Sequence, residues 1–441
     1  MDTQLYIRQV LTEHLLSADY KQLTETEARQ IMGNVTETLK KLITEYKETL
    51  SKAEYTFFQR NIHSYHRIPI FYGLPKVHKT PVTLRPIVSG SNSFLGIFST
   101  WLDFKMKLLL PYVKSFIKNS AAVIQDIKQL PLPPHALLFS ADATAMFTNI
   151  DTQLGVCSIR DFILKHRDKL PVNFQTDLFL RTLTLIMENN VFTFANTHWL
   201  QLAGTAMGTP VACAYATVSF GHYENEHILT EFKSNLLYYK RYIDDIIGIW
   251  VPSYKNDNTT WNSFKSKLNS WGTLKWVIEE PSKSTHFLDL NISIADSSFN
   301  ISTFQKPLNL YLYIPPLSAH PPSCFKGLIH GETKRYWTQN NPSDFTNILS
   351  KFMTRLVQRG HTPEALAPLL LQAATGIENA QASSNTDVSS NTLYLHWTYN
   401  PNGIQSNTIR YLYNKILQPY VPFDRMQIAL SRPKNLRDLL T

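Results

Sequence analysis

The chain has 441 residues, 43% hydrophobic and 12% aromatic, which is enough for roughly two to three lobes with cores of their own. No apolar run reaches the roughly 18 to 20 residues of a membrane span, "MDTQLYIRQVLTEHLL" lacks a signal pattern, and Cys157, Cys213 and Cys324 form no CxxC pair. A membrane protein, a secreted disulfide framework and a Cys-based zinc ribbon are thereby excluded, and a soluble intracellular protein is expected. The formal charge of +9 is concentrated, because ten Lys or Arg in residues 51–120 face only Glu54 and Asp103. A second excess, six basic residues against Asp424 and Asp438, lies in 401–441. Basic charge interleaved with Tyr, Phe and His suits a phosphate-binding surface, although a solvated basic face has the same composition.

In chain order, residues 24–58 read as one long helix, opened by a Thr24/Glu27 capping box and carrying Ile31, Val35, Leu39, Leu42, Ile43, Tyr46 and Leu50 at helical spacing. "IPIFYGLPKVHKTPVTLRPIVSG" predicts two strands joined near Lys79 to Pro81, with Lys76 and Arg85 on opposite strands. A helical stretch spans about 94–118, and the apolar run in "HALLFSADATAMFTNID" ends at Asp142. A helix over 173–190 precedes a hairpin from Phe192 to Leu202, a loop bracketed by Gly204 and Gly208, and a helix of small residues with Thr209 as N-cap and Pro210 at its first turn. Residues 252–263 read as a polar loop, and 274–305 as strands that include "HFLDLNISI". Pro315, Pro316, Pro321 and Pro322 punctuate a loop before a helical region at 343–375, and the low-complexity stretch at 378–392 reads as a linker.

The chemistry centres on "YYKRYIDDIIGIWV", where apolar arms leave Asp244 and Asp245 at a hairpin tip. An isolated hydrophobic-Asp-Asp tetrapeptide is usually a turn, and a lone Asp such as Asp142 is usually a cap. Taken together, acids at adjacent strand ends supply the hard oxygens that a pair of divalent cations requires, with Mg²⁺ the natural candidate. A basic hairpin nearby implies attack of a hydroxyl on a nucleotide α-phosphorus, with Lys76 and Arg85 neutralising the triphosphate. His63 and His66 have a metal-like spacing but no second ligand pair, and read as ordinary surface or core residues.

"FYGLPKVHK", "LRPIVSG", "FSADATAMFTNID", "GTAMGTP", "RYIDDI" and "HFLDLNI" follow the order and spacing of reverse transcriptase motifs. In wording they most resemble the reverse transcriptases of Penelope-like retroelements, the group related to telomerase. "SAHPPSCFKGLIHGETKRYW" and "RPKNLRDLL" extend the resemblance over roughly residues 60–441. It implies an α+β right-hand polymerase with fingers, palm and thumb, in which helices back an antiparallel palm sheet. The implied division is an N-terminal helical extension at 1–59, fingers at 60–120, palm at 121–310 with part of the fingers inserted, thumb at 311–375, a flexible linker at 376–392, and a basic segment at 393–441 on or near the thumb.

The resemblance also implies roles. Asp142 and Asp244 match the metal-binding acids, Asp245 their catalytic partner, and the Ala143 carbonyl a further metal ligand. Lys76 and Arg85 match residues that meet the triphosphate, and Phe147 the bulky residue that rejects a ribose 2′-hydroxyl; spacing alone reads Phe147 as a core residue. Met207 and Gly208 stand where other members carry Gln-Gly near the incoming nucleotide, and Met there packs rather than hydrogen-bonds. Phe287 and Leu288 fall at the primer grip, which makes Asp289 structural. The implied activity is RNA-directed DNA synthesis from a 3′-hydroxyl primer, with two Mg²⁺ ions (or Mn²⁺), an RNA template, a DNA primer and dNTPs as partners, in the nucleus. Many members continue after "RPKNLRDLL" into a GIY-YIG endonuclease. No such motif precedes Thr441, which fits either a domain edge or an element using pre-existing 3′ ends. An RNA-dependent RNA polymerase and an inactive nucleic-acid-binding scaffold are the alternatives. Phe147 argues against the first and the full set of acids against the second.

Overall fold

The computed structural model describes residues 2–63, 67–77, 80–90, 92–254, 257–295, 298–382, 391–400 and 402–431. His66, the expected turn at Lys79, the middle of the expected linker and "RPKNLRDLL" lie outside the described residues. The chain divides into two compact units, one of Met1–Asn300 with Phe304–Leu308, the other of Ile301–Thr303 with Asn309–Thr441.

Two sheets of the first unit are built from the strands β1 (Tyr20–Leu23), β2 (Ile70–Lys76), β3 (Thr83–Ser89), β4 (Leu137–Ala143), β5 (Asn190–Phe194), β6 (Thr197–Gln201), β7 (Leu236–Tyr242), β8 (Asp245–Trp250) and β9 (Trp276–Ile278). One sheet has the order β1-β6-β5-β2-β3, the other β7-β8-β4-β9. The second sheet is antiparallel throughout. The three predicted hairpins are present, as β2–β3, β5–β6 and β7–β8. The expected helical extension at 1–59 is not purely helical, since β1 pairs with β6 and closes one edge of the five-stranded sheet.

Helices back the four-stranded sheet because its strands are apolar on the faces they present. Trp261 and Phe264, on the helix Asn258–Leu268, pack edge-on against Phe139 of β4 at 5.1 and 5.3 Å, and Trp261 also meets Trp250 of β8 at 5.0 Å. Phe220, on the helix Ala212–Tyr223, meets Trp276 of β9 at 5.1 Å. Burying a side chain of this size stabilises by about 1.5–3 kcal/mol. Ala212–Tyr223 is buried on nearly every side, which its small residues permit and which an amphipathic helix could not tolerate. The unit is therefore α+β, with an antiparallel sheet backed by helices.

Several boundaries differ from expectation. The helix expected over 24–58 is two helices, Glu25–Glu45 and Lys52–Ile62, because Ser51 and Glu54 form a second capping box that restarts the chain. Thr209 is not the N-cap: the helix begins at Ala212, and the Val211 N–H donates to Ser99 Oγ at 3.1 Å. The polar loop at 252–263 ends early, because the Asp257 carboxylate accepts the Thr260 N–H and starts a helix that buries Trp261. "HFLDLNISI" is not one strand. It breaks at Leu288 (φ +54°) into the paired strands Ser284–Phe287 and Leu290–Ala295.

The second unit contains the helices Pro322–Gln339, Pro342–Gln358 and Pro363–Ala382 around a core that includes Ile329, Tyr336, Phe352 and Leu366. Pro321 and Pro322, expected in a loop, start the first of them, as a proline at N1 can. The last helix runs to Ala382, so 376–382 is helical rather than linker. The strands Thr392–Thr398 and Arg425–Ser431 then pair in parallel. Among the described residues no helix is long and apolar enough to cross a membrane.

Candidate active site

The three acids converge through register. Asp142, next to last in β4, pairs with Asp245 at the start of β8, and Asp245 in turn pairs with Tyr242 at the end of β7. Ile243 and Asp244 are thus a two-residue hairpin tip set against the end of β4. The Ala143 N–H donates to the Asp244 carbonyl at 2.9 Å, which stitches that tip to the neighbouring strand. Ile243 is left-handed (φ +55°), an unfavourable conformation for a β-branched residue.

Electrostatics follow from this crowding. Burial, and then the charges of Asp244 and Asp142, push the Asp245 carboxyl up to about 6, while Lys306 pulls the other way. Lys306 follows Phe304, whose N–H donates to the Asp289 carbonyl at 2.8 Å and whose ring stacks on His286 at 4.3 Å. The helix Ala212–Tyr223 starts close by: burial, then the charges of Asp103 and Asp244, raise the Cys213 thiol. The donor set suits a hard divalent cation in kind, since carboxylates that repel one another at close range are relieved by a positive ion. Among the described residues no three His, Cys, Asp or Glu side chains are gathered into a metal-holding cluster.

The basic hairpin has its own geometry. Leu74 pairs with Arg85 and Lys76 with Thr83, so Lys76 and Arg85 stand diagonally on one face. Phe71, Leu84 and Val88 fill the opposite face, and Arg85 is exposed. The N-terminal helix Thr3–Val10 and the turn after it grip this hairpin. The Gly73 N–H donates to Tyr6 Oη at 2.7 Å, the Leu84 N–H donates to Glu13 at 2.8 Å, and His14 Nε2 donates to the Leu84 carbonyl at 3.1 Å.

A single loop joins the two regions. At one end the Thr205 N–H donates to the Phe147 carbonyl at 2.6 Å; at the other the Val88 N–H of β3 donates to the Met207 carbonyl at 2.7 Å. Gly208 has φ +105°, and a Cβ there would lie 2.6 Å from the Val88 carbonyl oxygen, so both the turn and the close approach require glycine. Phe147 is half-buried against the core, on the short helix Met146–Asn149 that follows Asp142. Phe287 is only 2% exposed and faces the core, whereas Leu288 and Asp289 form the half-buried turn beside it.

Sequence reasoning left Arg241 and Glu224 without a role. They form a salt bridge at 2.7 Å with both side chains 0% exposed. The available signal was an Arg two residues after Tyr239 and two before Ile243, on the apolar face of a strand, which demands an acidic partner without saying which one.

No protein-family model and no curated protein matches the sequence. Among solved structures, the chain is similar to the telomerase of Candida albicans determined with a fragment of telomeric RNA (TM-score 0.47, 11% identity, covering 80% of this chain and 65% of that one). It is also similar to apo telomerase of Candida tropicalis (TM-score 0.44, 11% identity, 81% and 63%) and to the BmCPV RNA-dependent RNA polymerase at elongation (TM-score 0.42, 12% identity, 71% and 28%). The chain thus spans less than two thirds of the length of each. These likenesses are loose, and the functional reading rests on the geometry of the site.

Proposed function

We propose that the protein is an RNA-directed DNA polymerase of the Penelope-like kind, a right-hand polymerase that copies retroelement RNA into DNA from a primer 3′-hydroxyl. The observation that carries this reading is the in-register pairing of Asp142 with Asp245 beside the two-residue tip bearing Asp244. Three acids fixed on one sheet, joined by one loop to a hairpin whose exposed face carries Lys76 and Arg85, suit the transfer of a nucleotidyl group from a triphosphate. Asp142, Asp244 and the Ala143 carbonyl would hold Mg²⁺ or Mn²⁺, which lowers the pKa of a hydroxyl and offsets charge on a pyrophosphate. Asp245 completes the acidic set. Lys76 and Arg85 bind and orient the triphosphate, and Phe147 fills the space that a ribose 2′-hydroxyl would need. The RNA template, DNA primer, dNTPs and a nuclear site of action belong to the same proposal.

Primer extension on an RNA template tests it. Incorporation of dNTPs in the presence of Mg²⁺, abolished in Asp244→Ala, is the expected result; incorporation that survives this substitution would overturn the site. Preference for rNTPs over dNTPs would instead favour an RNA-dependent RNA polymerase, and template binding with no incorporation would favour an inactive scaffold.

A further inference from the structure

We propose that the buried Arg241–Glu224 pair is a positioning device that sets the orientation of Asp244, so that its loss lowers turnover rather than nucleotide or template binding. The proposal rests on the polymerase reading above.

The guanidinium of Arg241 makes four hydrogen bonds. Nε and Nη2 donate to the two Glu224 carboxylate oxygens at 2.8 and 2.7 Å, Nη2 also donates to the Thr217 carbonyl at 2.9 Å, and Nη1 donates to the Ile243 carbonyl at 2.8 Å. Glu224 also accepts from Tyr239 Oη at 2.9 Å and from the Ser115 hydroxyl. The Arg241 backbone is fixed as well, its N–H donating to the Ser115 carbonyl at 2.6 Å and its carbonyl accepting from the Ile117 N–H at 3.2 Å. Glu224 opens the π-helical turn Glu224–Ile228 after the helix Ala212–Tyr223, and both Glu224 and its neighbour Asn225 are buried there. Such turns recur at functional sites in helices.

Stability alone is a poor reason for this arrangement. Two charges withdrawn from water lose hydration that their attraction only partly returns, and well-packed apolar residues of similar volume often serve a fold as well or better. What apolar residues cannot replace is the bond from Nη1 to the Ile243 carbonyl. That carbonyl belongs to the peptide plane entering Asp244, and the Asp244 carbonyl, held by the Ala143 N–H, belongs to the plane leaving it. With both planes pinned, the direction of the Asp244 side chain is set. Without Arg241, the left-handed Ile243 loses the bond to its carbonyl, and the tip can relax toward conformations that a β-branched residue prefers.

The experiment uses the full chain in single-nucleotide primer extension, with melting and template affinity measured alongside. Three variants are compared: Arg241→Met/Glu224→Leu, which replaces the pair with apolar volume; Arg241→Lys, which keeps the charge facing Glu224 but lacks a second arm for Ile243; and Asp244→Ala. The double variant should melt cooperatively and bind template within about twofold of wild type. Its kcat should fall about 10- to 100-fold, the range for partners that orient metal-binding groups, with KM for dNTP little changed. Arg241→Lys should fold and fall between the two, which keeps the proposal testable if the double variant does not fold. Either variant folding and turning over at the wild-type kcat would overturn the positioning role while leaving the polymerase reading intact. A wild-type chain that incorporates nothing on any primed template would remove the reading, and the inference with it.

Discussion

The β7–β8 hairpin turns in two residues and places its acids over a buried ion pair, whereas β2–β3 carries its cations on an exposed face and is gripped through its backbone by the N-terminal helix and the turn after it. The difference tracks what the proposed function asks of each charge. Carboxylates that share a cation must be placed to a fraction of an ångström and are forced together against repulsion, so their support comes from short bonds to the peptides around Asp244. Long cationic side chains that meet a triphosphate can follow it as it binds, so only the strand beneath them needs to be rigid. On the proposed reading one hairpin would work by geometry and the other by charge, and substitutions should separate the two.

The largest expected effect is at the acidic tip. Asp244→Asn keeps the volume and removes the charge, and it should lower kcat on the order of 10² to 10³-fold with template affinity retained. A rate within threefold of wild type would remove Asp244 from the chemistry. At the basic hairpin, Arg85→Ala loses charge-assisted hydrogen bonds worth about 1.5–3 kcal/mol, which corresponds to a roughly 10- to 100-fold rise in KM for the nucleotide. The contrast drawn above requires kcat to move less than KM here. The reverse pattern would mean that the cations position the reaction as the acids do.

Gly208→Ala probes the loop that joins β3 to the short helix after β4. At φ +105°, with a Cβ forced to 2.6 Å from the Val88 carbonyl oxygen, it should cost about 1–3 kcal/mol of stability, read as a lower midpoint in urea. Because Met207 is bonded to β3 and Thr205 to Phe147, both kcat and KM should shift in this one variant.

Much of this was legible in the sequence, and for identifiable reasons. Alternation around "IFYGLPK" and "TLRPIVS" locates the basic hairpin, apolar arms around Ile243–Asp244 locate the acidic one, and glycines mark the loop between. These features are local, with a period of two or a turn residue to announce them. What escaped is long-range or masked by composition. Arg241 and Glu224 lie 17 positions apart on different elements. β1 joins its sheet only through β6, nearly 180 residues later. The stretch 376–382 looks like a linker because it lacks a broad apolar stripe, yet it continues the helix begun at Pro363. The motif that names Phe287 says nothing of its burial, which its strand register decides.

The smallest effect concerns how the basic hairpin is held. Burial lowers the His14 pKa below its ordinary 6.5, with Lys76 adding to the shift and the Leu84 carbonyl and Glu13 opposing it. A folded-state pKa depressed below the unfolded value means that the unfolded chain binds more protons in this range. The contribution to stability is then present above the unfolded pKa and lost as pH falls through the folded one. Wild type should therefore lose melting temperature between pH 7.5 and pH 5 more steeply than His14→Gln, whose amide can still donate to the Leu84 carbonyl but cannot titrate. Because His14 reaches the hairpin through the backbone of Leu84, KM for the nucleotide should rise over the same interval in wild type and stay flatter in the variant. Parallel pH profiles would mean that the grip on β3 does not depend on His14, leaving Glu13 to hold the edge strand and Tyr6 its neighbour β2.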